Sequence, residues 1–305
     1  MVRFHSGSNC RPRLAVILVG LTVAVAARPA HARQVLFVSN RGSNTVGEYN
    51  AVTGAAINTA FINGQGLNQP EYMASDGNNH LFVISTSIGA RTPNDTVGQY
   101  NATSGATINA TFALTGYSFG LAADGNNRLF VPSFFYGVSA YDATTGASIN
   151  PQLIASPGGI DGVAVDNNNH VFVGNFNGGS VGKYDATSGT ALNTLLVSGL
   201  GFADVEGLDV SRNHLFVAHS PTGQANSYTV GEYDATTGAT LNATFFSSAG
   251  VMAFDGNNHV FMANSGNTVG EYDATTGGLI DPAFSSGLNG PAGLVFMAPV
   301  PVLRP

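Results

Sequence analysis

From Gln34 onward the chain alternates short apolar runs with clusters of Gly, Asn, Asp and Thr. Runs such as EYMAS (71–75), HLFVIS (80–85), TVGQY (96–100) and ATINATF (106–112) are brief, rich in β-branched and aromatic residues, and bounded by turn formers. That combination predicts strands. Asp-Gly-Asn-Asn at 76–79 is a turn between the first two strands of such a group. Asp-Ala-Thr-Thr-Gly at 142–146, with its relatives, is a turn between the last two, where Gly supplies a positive φ. None of these groups contains a helical pattern.

The group recurs six times. A Leu/Val-Phe-Val/Met run has its Phe at 37, 82, 130, 172, 216 and 261, and the following strand has its Tyr at 49, 100, 141, 184, 233 and 272. Repeats of roughly 40–50 residues signal a propeller or a solenoid, and four antiparallel strands per repeat is the blade of a β-propeller. The chain enters at a second strand, VLFVSN (35–40), and ends on a lone first strand, PAGLVFM (291–297). Pairing those two completes one blade and closes the ring. The expected fold is therefore all-β: a six-bladed β-propeller of four-stranded antiparallel blades over residues 33–298, 24 strands in all, with 299–305 as a flexible C-terminal tail. The central run of each second strand is apolar on both faces, as a strand covered on both sides requires.

The first 32 residues do not fit the repeat. Arg3, Arg11 and Arg13 precede an uncharged apolar run, Leu14 to Ala27, and Ala30-His31-Ala32 follows. A basic start, a short apolar stretch and a small-x-small site are the marks of a secretory signal peptide, here residues 1–32. The run is shorter than the roughly 20 residues of a spanning helix. The expected compartment is thus periplasmic or extracellular, without membrane insertion after cleavage.

Cleavage also changes the charge. Of 11 basic residues four lie in the leader, leaving 7 against 18 acidic ones, a formal net charge of −11. Such a chain excludes nucleic acid as a partner, because phosphate backbones select basic surfaces. The single cysteine, Cys10, is also in the leader, so the mature chain has no thiol for disulfides or metal sites. A charge content of only 10% beside 44% hydrophobic residues rules out a disordered or acidic-tail chain.

Asn79-His80-Leu81 and Asn213-His214-Leu215 spell N-H-L, and Asn-His-Val recurs at 169–171 and 258–260. With the preceding Asp-Gly-Asn-Asn, the repeats resemble those of NHL-repeat propellers, over essentially all of the mature chain. The wider group holds gluconolactonase-like and streptogramin-lyase-like propellers. The YDATTG hairpin is similar also to repeats of quinoprotein dehydrogenases, which dock neighbouring blades through tryptophan, a residue this chain lacks.

The connections within a blade divide between two faces. The first-to-second and third-to-fourth turns have nearly constant length. The opposite connections vary, and the two longest are 86–96 and 220–229. Length variation on one face points to a binding face. On it lie the starts of the first strands, near Glu71, Phe119, Asp161, Glu206, Gly250 and Ala292, and the ends of the second strands, including Asn40, Asn175, His219 and Asn264. Three carboxylates at one level, with amide oxygens nearby, suit a hard cation, so Glu71, Asp161 and Glu206 are candidate Ca²⁺ ligands. The resemblance implies the same, since gluconolactonase-like enzymes hold a divalent metal at first-strand starts; Asp161-Gly162 and Glu206-Gly207 look like their Asp-Gly and Glu-Gly elements. Phe119, Gly250 and Ala292 depart from that pattern. His219 stands where other repeats have Ser or Asn. With Glu206 it is the candidate catalytic pair, His219 as general base, as the lyase-like relatives imply. His80, His170, His214 and His259 share one repeat position beside the constant turns and read as structural.

Phe134, Phe135, Tyr136 and Phe176 could form an aromatic patch on the variable face. The N-x-S/T triplets at Asn94, Asn101, Asn109 and Asn242 follow from an Asn- and Thr-rich repeat. No P-loop, dinucleotide fingerprint, HExxH or CxxC occurs. The leading expectation is an exported, monomeric binding or scaffold protein that takes a protein or small-molecule ligand on its variable face. One alternative is a metal-dependent hydrolase, lactonase-like, or a lyase acting at the channel mouth. Another is a cell-surface or matrix structural protein.

Overall fold

Alternation, β-branching and turn chemistry produce the expected strands. A computed structural model describes residues 34–86, 95–155, 159–201, 207–220, 229–247 and 251–297. The expected leader (1–32) and tail (299–305), Glu206, Gly250 and most of the two longest loops lie outside the described residues. Every regular element among the described residues is a strand. The 24 strands form six four-stranded antiparallel sheets, and these are the six blades of a β-propeller.

Five blades follow chain order. Blade 2 spans Pro70–Ser75 to Thr107–Thr115, blade 3 Ala122–Ala123 to Ser148–Ile154, blade 4 Ile160–Val165 to Ala191–Val197, blade 5 Gly207–Ser211 to Thr240–Phe246 and blade 6 Met252–Phe254 to Leu279–Ser285. Blade 1 joins the ends of the chain. Pro291–Met297 pairs antiparallel with Val35–Asn40, with Val35 opposite Met297 and Phe37 opposite Val295. The inner strand of this blade thus comes from the C-terminus, and the ring has no open end.

The core lies between blades. Each of six apolar clusters takes residues from two adjoining blades, so docking and core formation are one event. The second-strand Phe sits at the centre: five of the six are fully buried and Phe216 is 2% exposed. It meets a ring on the outer strand of its own blade in several repeats, as for Phe82 and Phe112 at 5.1 Å and Phe261 and Phe284 at 4.8 Å.

Glycine completes the docking. Gly238, last in the Asp-Ala-Thr-Thr-Gly turn of blade 5, has φ +76°, and a Cβ there would lie 1.8 Å from the Leu196 carbonyl oxygen of blade 4. Backbone therefore meets backbone at that seam, and only Gly fits. Gly238→Ala is expected to lower stability by about 2–4 kcal/mol, combining a left-handed φ penalty with an overpacked seam. A melting temperature equal to that of the parent would show that the blades do not dock through this contact.

The constant face is held by repeated side-chain bonds. Asp142 Oδ1 accepts the Thr144 and Thr145 N–H groups, and Asn127 Nδ2 donates to Asp142 Oδ2. Asp185, Asp234 and Asp273 repeat this scheme. His80, His170 and His259 each place Nδ1 within 2.6–3.0 Å of the Asp four residues earlier. In blade 5 the turn is one residue shorter and lacks that Asp, and His214 pairs with Glu232 instead. The N-H-L signature is accordingly a turn-stabilising device. The outer strands carry a bulge at Asn58, Asn109, Asn150, Asn193, Asn242 or Asp281, whose side chain accepts the N–H two residues on. Such bulges blunt the only sheet edge that faces outward.

One strand departs from expectation. The first strand of blade 3, expected to start near Phe119, pairs only at Ala122–Ala123. Before it the Phe134 N–H donates to the Tyr117 carbonyl (3.0 Å), the bond that Thr86 makes to Asn68 in blade 2 and Phe176 to Gly159 in blade 4.

Candidate functional site

The departure in blade 3 builds the most distinctive feature of the variable face. The segment 116–121 enters blade 3, and 134–136 connects its second and third strands. Together they gather Tyr117, Phe119, Phe134, Phe135 and Tyr136, and Phe176 joins from the equivalent connection of blade 4. Tyr117 meets Phe119 at 4.7 Å (81°) and Phe134 at 5.7 Å (79°); Phe134 meets Phe135 at 5.1 Å (77°) and Phe176 at 5.5 Å (68°). Edge-to-face contacts of this kind make a mutually braced cluster. Gly159 lets Phe134 approach the backbone closely, since a Cβ there would be 3.0 Å from the ring.

Two members are left to solvent: Phe135 is 64% and Tyr136 62% exposed. Tyr117 carries φ +53°, unusual for a bulky side chain and the only aromatic residue with a positive φ among the described residues. Backbone held in such a conformation concentrates at functional positions. On the inner side Phe119 reaches Tyr72 of blade 2, at 6.5 Å, and both line the central channel. The aromatic surface therefore runs without interruption from the channel to the exposed rim. The sequence already singles out Phe134, Phe135, Tyr136 and Phe176. Phe119 enters the sequence reading only as the start of a first strand and Tyr117 not at all, because nothing local shows that either ring packs against Phe134.

The carboxylates of the acidic ring differ in their surroundings. Glu71 Oε1 lies 3.2 Å from Arg41 Nη1, so an arginine already neutralises that carboxylate. Asp161 is buried, and Glu206 lies outside the described residues. Among the described residues no group of three His, Cys, Asp or Glu is placed to hold a metal ion. Glu206, the third candidate ligand, is not among those residues.

The second-strand ends hold their own turns. Asn40 donates to the Val38 carbonyl and accepts the Asn289 N–H, Asn175 accepts the Gly178 N–H, and Asn264 donates to Thr268 Oγ1. His219 is buried, and its two ring nitrogens reach no hydrogen-bond partner. Burial lowers its pKa below the ordinary histidine value. The Leu200 carbonyl opposes this weakly without attaining hydrogen-bond geometry. The ring is therefore neutral at neutral pH, chemically able to accept a proton.

Among the described residues one charged side chain lines the channel. Asp209, on the inner strand of blade 5, lines a cavity of about 240 Å³ among Tyr72, Phe119, Leu208, Phe254 and Phe296. It stands opposite Phe216, where the corresponding residues of the other blades are Ala74, Ala122, Ala164, Ala253 and Val295. Surrounding protein pushes its pKa up to about 7, against smaller opposing effects of the Val210 and Phe254 backbone N–H groups. Sequence reasoning passed it over.

No protein-family model matches the chain, and no curated protein matches it by sequence. Solved structures of the same fold do match. A chain of a nidogen/laminin complex is 12% identical, with a TM-score of 0.67 over 86% of this chain and 98% of that one. TolB from Acinetobacter baumannii is 14% identical, with a TM-score of 0.62 over 89% of this chain and 68% of that one. At these identities the likeness establishes the six-bladed propeller and nothing finer.

Proposed function

We propose that the protein is an exported, NHL-like propeller that binds a protein partner through the aromatic cluster of its variable face. One observation carries this: two large rings, Phe135 and Tyr136, stand in solvent on a braced platform of four more. Exposed aromatic side chains on a rigid base are the usual anchors of protein interfaces, because they bury large area at small entropic cost. A low-charge surface around them keeps the desolvation cost of docking small. The basic start, short apolar run and small-x-small site of segment 1–32 support a partner outside the cytoplasm, and the constant face supports a scaffold role by holding six near-identical blades in register.

The test uses the mature chain and proteins of its own exported fraction, with hydrogen-exchange mapping of the complex formed. Protection is expected at 116–119, 134–136 and 176. Phe135→Ser combined with Tyr136→Ser is expected to weaken the complex at least tenfold while leaving the melting curve unchanged, since both rings are outside the core. Equal affinity of the double variant, or protection confined to the constant face, would move the binding site elsewhere.

A further inference from the structure

We propose that the central channel is a binding site for a small organic cation, an alkyl- or arylammonium, with Asp209 as its counter-charge. This goes beyond the aromatic face: its residues lie on the inner strands, apart from Phe119, which the two sites share.

The repeat itself isolates the residue. Six inner strands present six equivalent positions to the channel; four carry Ala, one Val and one Asp. Alanine or valine satisfies the packing there, so a carboxyl at the sixth is not a requirement of the fold. It is also costly, because an ionised carboxylate surrounded by protein loses its hydration. No positively charged side chain among the described residues lines the channel with it. The titratable groups on neighbouring elements are engaged elsewhere. Asp166 with His170, His214 with Glu232, and Asp255 with His259 pair off at the constant-face turns, and Arg212 donates to the Gly256 carbonyl. Lys183, the single lysine, donates to the Ala235 carbonyl.

The rest of the lining describes the ligand. Tyr72, Phe119, Phe254 and Phe296 surround the same cavity, and aromatic faces attract cations through their quadrupoles. Leu208, Val210, Met252 and Val295 make the remainder apolar. A single negative charge among rings and aliphatic walls matches a monocation with a short apolar body. It does not match a metal ion, which needs several oxygen or nitrogen ligands. The volume, about 240 Å³, is below the roughly 300–1,000 Å³ of sites for drug-sized molecules. The ligand is therefore small. A raised pKa agrees with an acid that still lacks its counter-ion.

The experiment titrates the mature chain with benzylammonium and n-butylammonium by calorimetry, with benzyl alcohol and benzoate as neutral and anionic controls. Both ammonium ions are expected to bind, at least tenfold more tightly near pH 8 than near pH 5, because the cation selects the ionised carboxyl. Benzyl alcohol is expected to bind more weakly and without that pH dependence, and benzoate to be excluded. Asp209→Asn is expected to lower ammonium affinity at least tenfold and to abolish the pH dependence. Asp209→Ala, which restores the residue of four other blades, gives the same answer in a background certain to suit the fold. Three results would overturn the proposal: unaltered ammonium binding by either variant, benzyl alcohol binding as tightly as benzylammonium near pH 8, or no heat with either ammonium ion up to ~10 mM, a weakness beyond useful recognition.

Discussion

Phe172→Ala is expected to lower the stability of the folded protein by roughly 3–5 kcal/mol, the cost of emptying a fully buried aromatic site. The ring is completely buried and belongs to a cluster that takes Val181, Leu196 and Val197 from blade 4 and Leu215, Val217 and Tyr233 from blade 5. Its loss thins a seam between blades as well as the interior of one blade. Lys183 adds to the cost. Its ammonium lies 5.4 Å from the Phe172 ring centre while donating to the Ala235 carbonyl of blade 5, so a buried cation would lose its aromatic neighbour. The backbone ladder on either side of Phe172 limits collapse into the cavity, which puts the effect at the upper part of the range. Thermal melting would show a decrease on the order of 10 °C for a domain of this size. A shift below about 2 °C would contradict the view that the blades are held together by these inter-blade clusters.

Stability is also expected to fall as the pH rises from about 4 to about 7 without ligand, through one residue. Asp209 has a folded-state pKa of about 7 against an ordinary value of 3.8, because surrounding protein disfavours its charged form. In that interval the folded protein keeps the proton that the unfolded chain has already released. The stabilisation from this proton is fully present below 3.8 and is lost as the pH rises through 7, to a total of about 4 kcal/mol at most. The turn aspartates act in the opposite sense. Asp142 and Asp185 are held below the ordinary carboxylate range, first by the Thr145 and Ser188 backbone N–H groups and then by the hydroxyls of the same residues. Their contribution is present above 3.8 and disappears as the pH falls below it. The two effects together place maximum stability on the acid side of neutrality. Asp209→Ala is expected to remove the decline between about pH 4 and pH 7 and to be more stable than the parent near pH 8. Urea midpoints across that range measure this directly. Parallel curves for parent and variant would mean that Asp209 ionises like an exposed carboxyl.

These expectations share a cause in the way the ring is built. The absence of tryptophan is met by aromatic packing, within a blade as for Phe82 and Phe112 and between blades as for Phe216 and Phe254, and by glycines such as Gly238 that let backbones touch. The constant face follows from this. A side chain in place of the turn glycine would push a neighbouring blade away, as at Gly238. The aromatic cluster of blades 3 and 4 arises on the opposite face. There the entering chain gives up ladder pairing, and Tyr117 takes a left-handed backbone conformation to present its ring.

The amino-acid sequence alone determined the strands, the turns, the six repeats and the closure of the ring. Each of these depends on residues close together in the chain or on a motif repeated at a fixed period. The pairing of 291–297 with 35–40 is the one long-range contact it reveals, because an incomplete repeat at each end implies it. Tertiary structure decided what depends on contacts between repeats. Nothing local shows that Gly238 abuts Leu196, that Glu71 pairs with Arg41, or that Tyr117 and Phe119 join Phe176. Asp209 is the clearest case. The blade 5 turn is one residue short, so counting along the chain conceals its equivalence to Ala74 and Ala164. Only the register opposite Phe216 shows that a carboxyl stands in the channel where its counterparts are apolar. The charge environment of a residue is set by whatever the ring brings around it, and in a closed ring those neighbours come from other blades.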